Sequence, residues 1–88
     1  MWLEIVKSKL TMRAKALLTL KYINKDIKHY EEIITHDGNC GEYFESNIYT
    51  LNITYYENQK YYKHIYMMEN WFDKTPINYF LYDSIELG

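Results

Sequence analysis

Leu3, Val6, Leu10, Ala14 and Leu17 recur at spacings of three and four along the start of the chain. That period puts them on one side of a helix and predicts a single helix over residues 3–20. Glu4, Ser8, Thr11, Lys15 and Thr19 fall on the opposite side. Lys7, Lys9 and Arg13 flank the apolar stripe, where their stems lie along it and their heads reach water. A basic amphipathic helix can also serve a membrane surface or an acidic partner. A domain this small needs the helix for its own core, and that reading is preferred. Over residues 25–35, KDIKHYEEIIT, Ile27, Tyr30 and Ile34 again suit a helix, and strict alternation is absent. A second short helix is expected there. A strand is the alternative, because Ile33, Ile34 and Thr35 are β-branched. The segment stops at the turn dipeptide Asp37-Gly38, and residues 36–47 read as a loop.

The period then changes. NIYTLNITYY and YYKHIY are rich in β-branched and aromatic residues and predict a hairpin over residues 48–68. ENQK between them lacks an Asn-Gly pair, so a four-residue loop around a type I turn is expected rather than a tight primed turn. Tyr56 then faces Tyr61. One face carries Tyr49, Leu51, Ile53, Tyr55, Tyr62, His64, Tyr66 and Met68, and it should meet the helix. The other carries Ile48, Thr50, Asn52, Thr54, Tyr56, Tyr61, Lys63, Ile65 and Met67. INYFLY, residues 77–82, predicts a further strand after Pro76, and the tail DSIELG is expected to fray. Trp71 and Phe72 lie in the connection before it, either folded over the core or projecting as an anchor. The fold class is therefore α+β over one domain, residues 1–88. One or two N-terminal helices pack on a three- to four-stranded antiparallel sheet containing the Tyr-rich hairpin.

Composition supports a packed core. The chain is 48% hydrophobic, too much for a disordered one, and its 18% aromatic share lets a thin domain bury area with few residues. Tyr, Ile, Lys and Asn are abundant while Gly, Ala, Pro and Arg are scarce. That bias follows AT-rich codons and points to a low-GC bacterium, its phages or plasmids, or another virus. Charge is divided along the chain. Residues 1–28 hold seven cations against two acids, and residues 29–88 hold three against ten. The net of −2 argues against a generic DNA binder. The division points to an internally complementary fold or to an acidic face that meets a basic partner.

Candidate chemistry is sparse. His36, Asp37 and Cys40, with His29 and His64 elsewhere, lack the spacing of a zinc site. Cys40 with a histidine lacks the third group of a nucleophilic site. Three glycines cannot build a phosphate loop. No catalytic residue, metal or cofactor is assigned, and no enzyme activity is expected. The sequon Asn52-Ile53-Thr54 falls in a strand and is read as chance. A single cysteine fits a reducing cytoplasm, the expected location, in the bacterial host if the gene is phage-borne. No membrane span is expected, and charges at positions 4, 7, 9, 13 and 15 leave no apolar core for a signal peptide.

What remains is contact. Tyr and Trp dominate protein hot spots, and clustered carboxylates can occupy a site built for nucleic-acid phosphates. The expected contact surface is Glu31, Glu32, Asp37, Glu42, Glu45, Tyr56, Tyr61, Trp71 and Phe72. The expected function is stoichiometric binding of a host protein, such as a nucleic-acid-binding enzyme, by a phage- or plasmid-encoded inhibitor of anti-restriction or anti-CRISPR type. The rival is a single-stranded nucleic-acid binder using the outward tyrosines and the basic helix. Dimerisation through sheet edges or the Tyr-rich face is a further expectation.

Overall fold

The computed structural model describes residues 2–37, 46–71 and 78–88. Two short helices, α1 (Trp2–Lys7) and α2 (Met12–Lys21), precede four strands. These are β1 (Asp26–Asp37), β2 (Ser46–Glu57), β3 (Lys60–Trp71) and β4 (Phe80–Glu86). The strands form one antiparallel sheet in the order β1-β2-β3-β4, so the fold is α+β.

The expected single helix is broken at residues 8–11. Ser8 donates its hydroxyl to the Ile5 carbonyl at 2.6 Å, and the Ser8 amide donates to the same oxygen. Lys15 Nζ reaches back to the Val6 carbonyl at 2.8 Å, so orphan carbonyls of α1 find partners. Thr11 then starts α2 from an extended conformation, and its Oγ1 accepts from the Ala14 amide. Ser and Thr compete for backbone groups in this way, which makes them better caps than helix interiors. The break resets the phase of the stripe. Ile5, Ala14 and Leu18 are buried, Leu10 and Leu17 are half-buried, and Val6 is 61% exposed.

Residues 26–37 form a strand, not the expected helix. Asp26 and Ile27 pair with Tyr56 and Tyr55, the register shifts past Lys28, and His29 pairs with Thr54. This β-bulge inserts one residue into the alternation. Ile27 and Tyr30 thus share a face although they are three positions apart, which imitates a helical spacing.

The residues 36–47 expected as a loop are partly strand. β1 runs through Asp37 and β2 begins at Ser46, and Cys40 lies outside the described residues. β2 and β3 pair from Ser46 opposite Trp71 to Glu57 opposite Lys60. Their connection is two residues, Asn58 and Gln59, both with positive φ (54° and 65°). It is a tight primed turn, not the expected four-residue loop, because two left-handed residues match the twist of the flanking strands.

The last strand begins later and ends later than expected. It spans Phe80–Glu86, so most of the tail expected to fray is paired with β3. Beyond it, the Leu87 amide donates to the Tyr61 carbonyl at 2.7 Å. A second bulge, at Tyr82, shifts the register between Tyr66–Leu81 and Ile65–Asp83.

One buried cluster joins Ile5, Ala14, Leu18 and Tyr22 to Ile27, Leu51, Ile53, Tyr55 and Tyr66. The sheet face bearing the last five is called inner, the opposite one outer. No helix of the described residues is long and apolar enough to cross a membrane.

Candidate functional site

The inner face carries two polar clusters, and both are engaged. Tyr22 Oη lies 2.7 Å from His64 Nδ1 and 2.7 Å from Tyr66 Oη, and Tyr55 Oη lies 3.3 Å from His64 Nε2. Burial, followed by the bond to Tyr66, pushes the Tyr22 hydroxyl well above the usual phenol range. Burial also raises Tyr55. Burial and then the nearby Lys25 charge hold His64 below its ordinary value. Lys25 is itself tied to Glu57 at 2.7 Å and sits 5.3 Å from the centre of the Tyr55 ring. A neutral imidazole between tyrosines of raised pKa offers no activated nucleophile.

The second cluster surrounds Glu32. Thr11 donates to it twice, from its amide at 2.8 Å and its hydroxyl at 2.7 Å, and the Tyr79 hydroxyl donates to the same carboxylate. Glu32 thereby ties the start of α2 to β1 and to residue 79. Burial and this bond hold the Tyr79 hydroxyl above the usual phenol range. Beside it, Arg13, Leu17, Leu20, Lys21, Asn78 and Tyr79 line a groove of about 310 Å³, with the Arg13 guanidinium on Asn78 Oδ1.

The outer face has no helical cover among the described residues. Pairing sorts its side chains into rows across β1 to β4. The first row is Ile33, Thr50, Met67 and Phe80, with Ile48 beyond it. The second is Glu31, Asn52, Ile65 and Asp83, and the third His29, Thr54, Lys63 and Ile85. The fourth is Asp26, Tyr56, Tyr61 and, through its bond to Tyr61, Leu87. The Tyr56 and Tyr61 rings meet at 4.9 Å with 36% and 43% of each residue exposed. Phe80 is 53% exposed and, with Ile48, Met67 and Met68, lines a depression of about 90 Å³. The face thus carries its charges mainly across the middle and its apolar side chains mainly in the first and fourth rows, where Asp26 is the exception.

The expected contact residues do not form one patch. Glu31, Tyr56 and Tyr61 lie on the outer face, while Glu32 lies on the inner one with its carboxylate occupied. Asp37 closes β1 and Trp71 closes β3. Glu42, Glu45 and Phe72 lie outside the described residues. Phe80 was assigned to a strand but not to a contact surface, and Ile33 was placed in a helix. Their place on the outer face depends on the two bulges. Met67, Ile48 and Ile65 were legible as outward from the hairpin register alone. No group of three or more His, Cys, Asp or Glu among the described residues is placed to hold a metal ion. No family model, curated protein or solved structure matches the chain.

Proposed function

We propose that the protein acts by stoichiometric contact with another protein through the outer face of its sheet. The observation that carries this reading is an uncovered face bearing Tyr56, Tyr61, Ile33, Phe80 and Ile85, all exposed, on a domain whose helices pack toward the other side. Exposed aromatic and aliphatic side chains on either side of a charged band fit a contact site better than a solvated wall. The specific form we propose is a phage- or plasmid-borne inhibitor of a host nucleic-acid-binding enzyme, of anti-restriction or anti-CRISPR type, acting in the host cytoplasm. Asp26, Glu31 and Asp83 on the same face suit a partner surface lined by Lys and Arg. The AT-rich residue usage suits that origin. The tyrosine hairpin supplies the aromatic anchors.

Direct binding of single-stranded nucleic acid fits less well. Lys63 stands alone with three acids in those rows, and the bulge residue Lys28 is paired to Asp26 at 3.1 Å. The test is affinity capture from the host with wild-type and Tyr56→Ala/Tyr61→Ala protein, with circular dichroism to show that both are folded. The expected result is one protein captured stoichiometrically and lost in the variant. Equal capture by both would remove the face from the proposal. Tight oligonucleotide binding that weakens steeply with salt would favour the rival.

A further inference from the structure

We infer that the outer face is also self-complementary, and that a second copy of this chain covers it in a face-to-face dimer with the strands of the two sheets running antiparallel. This rests on the reading of that face as a contact surface, and names a second copy as its occupant, which a foreign partner at Tyr56 and Tyr61 would have to displace.

The argument lies in the order of the rows. Two sheets stacked face to face about a two-fold axis can be related in two simple ways. An axis along the strands would place β1 of one copy over β4 of the other. Glu31 would then lie on the second copy's Asp83, acid on acid, twice. An axis across the strands, passing between the Asn52 and Thr54 rows, keeps each strand over its counterpart and inverts the rows. The Glu31 row then meets the His29 row. Glu31 lies on the second copy's His29, and Lys63 lies on its Ile65, one strand away from its Asp83. Glu31 thus meets an imidazole rather than a carboxylate, and Lys63 stands diagonally to the second copy's Asp83.

The flanking rows match on the β3 and β4 side, while on β1 Ile33 falls on the second copy's Asp26. Ile33, Thr50, Met67 and Phe80 meet Asp26, Tyr56, Tyr61 and Leu87. Tyr61 falls on the second copy's Met67, beside the 90 Å³ depression lined by Ile48, Met67, Met68 and Phe80. A ring over a thioether in an apolar recess is a favourable contact. Leu87 falls on the second copy's Phe80, and both are more than half exposed in the single chain.

Size is consistent with a modest dimer. Four rows at the two-residue strand repeat and four strands at the usual spacing give a footprint of about 500 Å² on each copy, about 1,000 Å² together, the lower limit for a specific interface. An interface at that limit should show itself as an association that depends on protein concentration. Edge pairing is the less favoured route, because both edge strands carry a bulge, at Lys28 in β1 and at Tyr82 in β4. Bulges at sheet edges oppose strand addition.

The test is sedimentation equilibrium from low micromolar to millimolar protein. The expected result is a monomer–dimer equilibrium that Phe80→Asp abolishes while the circular dichroism spectrum is kept. Ile33→Asp, exposed at the far end of the same row, is the second probe should Phe80→Asp not fold. Glu31→Lys alone and His29→Glu alone should each weaken the dimer about tenfold, since symmetry counts each pair twice. The double variant Glu31→Lys/His29→Glu should recover the loss, which a general charge effect would not do. A monomer at every concentration, or a dimer indifferent to these changes, overturns the inference. Monomeric protein that still captures a host partner through Tyr56 and Tyr61 leaves the proposed function standing. A dimer sensitive to Phe80→Asp with capture unaffected by the tyrosines reverses that outcome.

Discussion

His64 shows how one side chain ties two layers together. Tyr22 closes α2, Tyr55 belongs to β2 and Tyr66 to β3, and all three hydroxyls meet at or beside its ring. Its folded-state pKa lies below the ordinary value, so between that value and about 6.5 the unfolded chain binds more protons. Stability is therefore full above pH 6.5 and is lost as pH falls through this window. Urea melts at pH 7.5 and 5.5 should show the loss in wild type and a smaller one in His64→Gln; equal losses would remove His64 as the cause. Gln59 makes an opposite kind of prediction. It sits at φ 65°, where a side chain on Cβ is strained, and follows Asn58 at φ 54°. Gln59→Gly creates the Asn-Gly pair that type I′ turns favour and should raise stability by about 0.5–1 kcal/mol, read from a urea midpoint at unchanged slope.

At the scale of elements, the joint between α1, α2 and β1 depends on Thr11 and Glu32. Glu32→Ala removes an acceptor from the Thr11 amide and hydroxyl and from Tyr79, and should cost about 2–3 kcal/mol. Thr11→Val should cost less, about 1 kcal/mol, because it keeps the backbone bond to Glu32 and loses the hydroxyl bond to that carboxylate and the cap on Ala14. A double-mutant cycle should show coupling between the two, and strictly additive losses would contradict the joint. The same elements show what was legible beforehand. Leu51, Ile53, Tyr55 and Tyr66 are buried and Tyr56 and Tyr61 are exposed, as alternation on each side of the turn requires. β1 was misread because the bulge at Lys28 turns a spacing of two into three, and because Glu32 occupies an inner position that a polarity pattern assigns to solvent. The break in the first helix was visible only as Ser8 and Thr11 on a polar side, where they look like ordinary surface residues. Their capping role depends on the Ile5 carbonyl and on a carboxylate twenty-one residues away in sequence. Half of the contact face was hidden for the same reason. Phe80, Ile33 and Ile85 join it only after both bulges are counted.

Among the described residues, one buried cluster joins the helices to the inner face of the sheet and the outer face has no such cover, and that asymmetry fixes how substitutions should sort. Leu18 is fully buried between the helical layer and the sheet, while Phe80 stands half exposed on the open side. An 88-residue domain has about 4–13 kcal/mol of stability. Leu18→Ala removes about 2–5 kcal/mol of it through lost burial and the cavity left behind. Phe80→Ala should cost well under 1 kcal/mol in the single chain, since surface substitutions away from special features are nearly neutral. Concentration should change this ranking. If the second copy covers the open face, folding is linked to association, and the melting temperature of the wild type should rise with protein concentration. Leu18→Ala should keep that concentration dependence while melting lower throughout. Phe80→Ala should melt with wild type in dilute solution and fall behind it as concentration rises. Thermal melts of the three proteins at several concentrations measure both effects together. A wild-type melting temperature that does not move with concentration would mean that no second copy covers the open face, and only the Leu18 ranking would survive.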